Sequence, residues 1–412
     1  MKKQRFIVLF ILISGYMQAQ VKGCTDPLSK NYNPMAVIND GSCEYRSESV
    51  RPTASVTLSA EAEETSGLIK WNNVLYTHND NTDHNLYALD SISGVVLKVI
   101  PLTGSTNQDW EEIAEDNDYI YIGDFGNNVS GNRTNLNILK ISKASVLAED
   151  PKLEQINFSY SNQTNFATLA NNSTDFDCEA MVVSKDSIYL FTKQWASKKT
   201  SVYTLPKTQG TYIAKLKNSY DVSGLITGAT YLEDKRLIVL SGYSGLVQPF
   251  IYLLYDFTCD NFFSGNKRKI TMGSMSFHQA EGIATSNGLD YFVSNEHLAQ
   301  QPFVNVVQKL HRFNLSPYLA VYLENLTLSE NQNLIRSLIR IYPNPTRDIV
   351  HIDIDESLNG LRYTFIDTSG KEVLSGILNS VTTRLNVGNL SAGIFTIKLD
   401  KYPNYSYRLV KK

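Results

Sequence analysis

The sequence predicts an all-β chain: a five-bladed β-propeller followed by a small C-terminal antiparallel β-sandwich. Three observations carry this. Five segments align without gaps, "SGLI" from Ser66, "EEIA" from Glu111, "EAMV" from Glu179, "TGAT" from Thr227 and "EGIA" from Glu281. After each, a few polar residues lead into an apolar run: "VLYTHND", "YIYIGDFGNN", "IYLFTKQW", "LIVLSGYSG" and "YFVSNEH". The first four repeats then add two more strand-like runs, whereas the fifth adds one, "VQKLHRFNL", and one spare run, "ASVTLSA", stands at residues 54–60. If that spare strand completes the fifth repeat, the chain makes five four-stranded sheets in a closed ring, which protects the sheet edges. A sixth blade hidden in residues 155–175 is the alternative.

From the N-terminus, residues 1–19 carry the marks of a signal peptide. Lys2, Lys3 and Arg5 are basic, residues 6–13 are apolar, and Ala19 is a small residue at a cleavable position. The apolar run is too short to span a bilayer. Its removal leaves a net charge of −6, which argues against nucleic acid as a partner. The uncharged stretch at 237–255 holds Gly, Ser, Gln and Pro at its centre and reads as two strands and a loop, not a membrane helix.

Residues 20–50 form a short Asx-rich segment. Cys24 and Cys43 bracket a polar loop and are the natural disulfide of an exported chain, while Cys178 and Cys259 lie in different repeats. Asp26, Asn31, Asn33, Asn39 and Asp40 offer oxygens of the kind calcium takes, but their spacing is not that of an EF-hand, and turn residues capping their own backbone explain them as well. The "CTDP…NYNP…DGSC" pattern resembles a short motif of exported Bacteroidetes-type proteins.

The propeller is expected over residues 51–318, a linker over 319–337 and the sandwich over 338–412. In the last, Val350, Ile352 and Ile354 alternate with polar residues, as do Phe395, Ile397 and Leu399, with Gly370 and Gly393 at turns. "YPNPT", "IDTSGKEVLSG", "LNVGNLSAGIFTIKL" and the terminal "LVKK" together resemble the type A C-terminal sorting domain of type IX secretion cargo. That resemblance implies transit through the periplasm, engagement of the outer-membrane type IX secretion machinery, removal of the domain, and release from or attachment to the cell surface.

Propeller geometry also places the candidate site. Inner strands begin at one mouth of the central channel and second strands end there. Glu111, Glu179 and Glu281 are therefore expected to converge, with Ser66 and Thr227 in the equivalent places of the other blades. Glu64, Asp109, Asp177, Leu225 and Gln279 stand two residues earlier, on the same strand face. The second strands contribute His78, Asp124, Lys193, Gly242 and Asn295, with Trp195, Glu296 and His297 close behind. At ~8 Å and an effective dielectric of ~20, each like-charged pair costs about 2 kcal/mol, so a proton, a cation, Lys193 or open water must relieve the repulsion. A cation held by Glu111, Glu179 and Glu281 would be calcium or magnesium, since the ligands are hard oxygens.

Three functions fit. A carbohydrate, peptide or other ligand binds the mouth; a hydrolase works there; or the acids accept backbone N–H groups of neighbouring blades and are structural. "EGIA…LDYFVSNEH" is similar to a strand pair of gluconolactonase and regucalcin-like propellers, which implies a divalent metal, and to esterase-like domains of phytase-like proteins. Five-bladed glycosidases instead use separate channel carboxylates as acid and base. The sequence has no Walker loop, GxSxG elbow, HExxH or CxxC motif. Asp90-Ser91-Ile92 and Asp186-Ser187-Ile188 resemble Bacteroidetes O-glycosylation sites in turns.

Overall fold

The structure is a computed structural model that describes residues 21–245, 247–300, 302–355, 358–400 and 402–412, with the side chains of 327–337 and 402–405 left aside. The signal peptide expected over residues 1–19 lies outside the described residues. Contacts divide the chain into two compact units, residues 1–319 and 320–412.

The first unit is a five-bladed β-propeller. Its inner strands are Thr65–Trp71, Trp110–Glu115, Asp177–Val183, Leu225–Leu232 and Ala280–Thr285, and each packs beside the next until the fifth meets the first. The runs that follow each aligned tetrapeptide form the second strands, Val74–Asn79, Tyr119–Asp124, Ser187–Lys193, Leu237–Tyr243 and Asp290–Asn295. Strand Ala54–Thr57 pairs antiparallel with Lys309–Asn314 and completes the fifth blade. The ring is therefore closed by hydrogen bonds between its two chain ends, as the strand count predicted. Residues 161–176 are not a sixth blade. They cross the mouth as a loop, held to the 126–133 loop by Leu169 N to Ser130 O at 2.9 Å and Asn172 N to Asn128 O at 2.8 Å.

Apolar cores fill the seams between blades. Ile69, Trp110 and Ile122 pack between the first two, and Tyr121, Cys178 and Leu190 between the second and third. The outer edges are managed in ways the repeat pattern did not reveal. The outer strands of the second and third blades, Leu153–Tyr160 and Gly210–Tyr220, pair in parallel, which fuses two blades into one eight-stranded sheet. The outer strand of the fourth blade, Asn266–Met272, is covered by Glu48–Val50. Both devices remove exposed strand edges.

The N-terminal segment is stapled by the Cys24–Cys43 disulfide. Its polar side chains are occupied. Asp26 accepts from Leu28 N and from the hydroxyls of Tyr45 and Tyr255, Asn33 from Met35 N, and Asp40 from Ser42 N. Asn39 donates to Asp256 and Asn266 of the fourth blade. Turn capping and docking, rather than an open oxygen cage, use these groups.

The segment expected as a linker is a helix, Ser316–Leu338. The second unit is a β-sandwich with one three-stranded and one four-stranded sheet around Val350, Ile352, Phe365, Ile397 and Leu409. Among the described residues no helix is long and apolar enough to cross a membrane.

Candidate functional site at the propeller mouth

One irregularity builds the site. In all five blades the inner strand slips register against its neighbour at the same repeat position. Glu111, Glu179 and Thr227 are the extra residues in three blades, and Gly67–Leu68 and Glu281–Gly282 contain the extra residue in the other two. Such a β-bulge re-aims a side chain that regular pleating would send elsewhere. The hydroxyl positions use this to tie blades together: Ser66 Oγ donates to Glu111 O at 2.6 Å, and Thr227 Oγ1 to Ala280 O. The three glutamates line a cavity of about 170 Å³ with Asp80, Asp109, Lys193, Trp195, Tyr243, Gln279 and Glu296.

Of the residues named from the sequence, Ser66, Asp109, Glu111, Glu179, Lys193, Trp195, Gln279, Glu281 and Glu296 face this cavity. Lys193 Nζ bonds Glu179 Oε2 at 2.5 Å, with both side chains almost wholly buried, and lies 4.9 Å from the Trp195 ring and 5.1 Å from the Tyr243 ring. One acid of the sequence-named cation trio is thus already matched by an ammonium. Asp177, Asp124, Asn295 and His78, expected there, do not line the cavity. Asp177 is buried behind it, accepting from Trp195 Nε1 at 2.7 Å and Asn127 N at 2.6 Å, and so sets the indole. Asp124 pairs with Arg133 at 2.7 Å, clamping the loop between them. Asn295 accepts from His311 Nε2 at 2.8 Å and donates to Glu296 O and Val307 O. His78 is fully buried against Trp110.

Glu112, passed over in favour of its neighbour, is the structural acid. It is 0% exposed, and its carboxylate accepts from Ile113 N at 3.0 Å and from Ala229 N of the fourth blade at 2.6 Å. The second and fourth blades are not neighbours, so this side chain crosses the channel. Gly67, at φ +58°, lets the first blade approach it: a Cβ there would stand 2.9 Å from Glu112 Oε1. Beyond lies a second cavity of about 250 Å³, lined by Leu68, Ile113, Met181, Ala229 and Tyr231. Asp80 was also missed. It stands two residues past His78, the offset that Trp195 has from Lys193, so repeat position alone could have found it.

Burial and neighbouring acids govern the charge. Burial, then Glu179, Asp109 and Asp177, push Glu111 well above the usual carboxylate range. Burial raises Asp80 to about 7, helped by Glu64 and Glu281, and Asp109 to about 6, helped by Asp177. Burial lifts Glu281 to about 7 against the pull of Lys193. For Lys193 burial acts downward, but Glu179, Tyr243, Glu281 and Asp177 together raise it, so it stays an ammonium. Glu281 Oε2 is buried with no hydrogen-bond partner.

Residues 340–412 match the secretion system C-terminal sorting domain family. The chain is a type IX secretion cargo protein. The sorting domain directs this cargo to the cell surface or the medium and implies contact with the type IX machinery. No curated protein matches it in sequence. Solved structures similar to it include the exo-β-1,3-galactanase of Phanerochaete chrysosporium with galactose, at 11% identity and TM-score 0.40, covering 87% of this chain and 98% of that one. The aldose sugar dehydrogenase of Streptomyces coelicolor gives 9% and 0.38, covering 64% and 98%. PorZ, a surface component of the type IX system of Porphyromonas gingivalis, gives 13% and 0.32, covering 86% of this chain and 46% of that one.

Proposed function

We propose that the exported propeller binds a small ligand at its mouth, one carrying an amine together with hydroxyl groups, such as an amino sugar or an amine-bearing side chain. The observation that carries this is the imbalance of the cavity: six carboxyl side chains, Asp80, Asp109, Glu111, Glu179, Glu281 and Glu296, share it with the single ammonium of Lys193. Buried carboxylates without partners are costly, and a cationic ligand removes that cost while Trp195 offers an indole edge for ring contact. A volume of about 170 Å³ suits one sugar ring rather than a chain. The test is calorimetric titration with glucosamine, glucose and spermidine in chelator. Binding of glucosamine over glucose, weakened by Glu281→Gln, supports the reading; equal or absent heats for all three overturn it.

A hydrolase is the second reading. It is favoured by Asp109 and Glu111, which share the cavity two residues apart, with burial pushing Asp109 up to about 6 and Glu111 well above the usual carboxylate range. A proton donor and a proton acceptor can then coexist near neutral pH. Turnover of nitrophenyl glycosides or lactones, lost in Glu111→Gln, would favour it over simple binding.

A further inference from the structure

The seam where the ring closes holds a cluster that the mouth's other acids do not explain. Glu64 precedes the first blade's inner strand, Asp80 follows its second strand, and Glu296 follows the fifth blade's second strand. One carboxylate oxygen from each lies within 4.8 Å of the others. Asp80 N bonds Glu64 O at 3.1 Å, and His297 N bonds Glu63 O at 3.0 Å, so backbone fixes the spacing from both blades. Gln279 Nε2 donates to Glu296 Oε1 at 2.5 Å. Among the described residues no cation pairs with Glu64, Asp80 or Glu296: Lys193 is bonded to Glu179, and His297 to Glu63. Behind them Glu281, only 4% exposed, lines the same cavity as Asp80 and Glu296 and keeps Oε2 unpartnered.

We propose that Glu64, Asp80 and Glu296, backed by Glu281, form a calcium site that fastens the first blade to the fifth. Calcium takes oxygen ligands at about 2.3–2.6 Å in flexible geometry, so two ligands on opposite sides of one ion stand about 4.6–5.2 Å apart. The carboxylate spread fits inside that span. Magnesium, at about 2.0–2.1 Å, demands near-ideal octahedral geometry, a stricter condition on carboxylates drawn from two blades than calcium's flexible shell imposes. Charge complementarity agrees, since three carboxyls and a fourth behind them face a dication. The ion's place is architectural: it bridges the first and fifth blades, whose inner strands Thr65–Trp71 and Ala280–Thr285 pack side by side. This site does not rest on the amine-ligand reading, which is tested in chelator.

The test is calorimetric titration of the full mature chain, stripped with chelator, with calcium chloride and separately with magnesium chloride. One calcium per chain is expected, with magnesium weaker, and an affinity at least ~10-fold lower in Asp80→Asn. In chelator Asp80→Asn is expected to melt no lower than the wild type, because a like charge has been removed. Asp40→Asn is the control for the N-terminal Asx-rich segment and is expected to bind calcium normally. Should Asp80→Asn fail to fold, Glu64→Gln, whose side chain is partly exposed, carries the same comparison. No calcium uptake by the wild type, undiminished uptake by the folded cluster variant, or loss only in Asp40→Asn overturns the site.

Discussion

Replacing Lys193 by methionine is the sharpest probe of how the mouth is held together. Met keeps the stem's volume and removes the charge. In the native chain the ammonium sits 2.5 Å from Glu179, with side chains 5% and 3% exposed. Removing one partner of such a pair strands the other and costs about 3–5 kcal/mol. At roughly 2–4 °C per kcal/mol for a domain of this size, the propeller transition should fall by roughly 6–20 °C. The loss also has a pH signature. Lys193 pulls down the carboxyls of Glu179, Glu281 and Asp177, all of which burial has raised; without it they rise further. An acid whose folded pKa is raised contributes stability below its unfolded value, about 4.3 for Glu, and loses it as pH climbs through the folded value. The wild-type value for Glu281 is about 7. The gap between wild type and Lys193→Met should therefore be small at pH 5 and full at pH 8, read by calorimetric melts in chelator. Adding Glu179→Gln should restore at least half of it at pH 8. A drop below about 3 °C, or the same drop at both pH values, would refute a buried pair that sets the charge of the cavity.

Three further outcomes are expected. His311 accepts from Ser55 Oγ at 2.7 Å and donates to Asn295 Oδ1 at 2.8 Å, and burial lowers its pKa to about 3. A histidine neutral in the fold loses stability as pH falls below its unfolded value of about 6.5, so the wild type should lose about 3 kcal/mol by pH 4.5 from this group, a slope that His311→Gln lacks in urea titrations. Maleimide should label Cys259 in the native chain and Cys178 only after unfolding, since the first is exposed and the second buried; mass spectrometry reading native label on Cys178 would contradict the blade packing. Deleting residues 338–412 should retain a folded propeller in the periplasm, and cell fractionation finding the truncated chain outside would sink the export role of the sorting domain.

Repeat position made much of the fold legible. The five aligned tetrapeptides gave the inner strands, and counting runs located the closing strand at residues 54–57. What the repeats do not share was hidden: the parallel joint between Leu153–Tyr160 and Gly210–Tyr220, the cover strand Glu48–Val50, and the helix Ser316–Leu338. Edge pairing depends on tertiary neighbours, so no local pattern signals it. At the site, period-two reasoning was reliable until the bulges. Where the strand slips, Glu111 faces the cavity as expected beside Asp109, but Glu112, which nothing in the alternation singled out, crosses the channel. His78, Asp124 and Asn295 sit at the offset of Lys193 yet turn away from the cavity to partners of their own, Trp110, Arg133 and His311.

The bar that Glu112 lays across the axis makes the mouth a cup rather than a pipe. A ligand of the proposed kind would have one aperture for arrival and departure, and solvent it displaced would leave past it. Widening that aperture at the 126–133 and 161–176 loops should then speed both association and release while leaving equilibrium affinity nearly unchanged, whereas opening the floor at Glu112 would create a second exit.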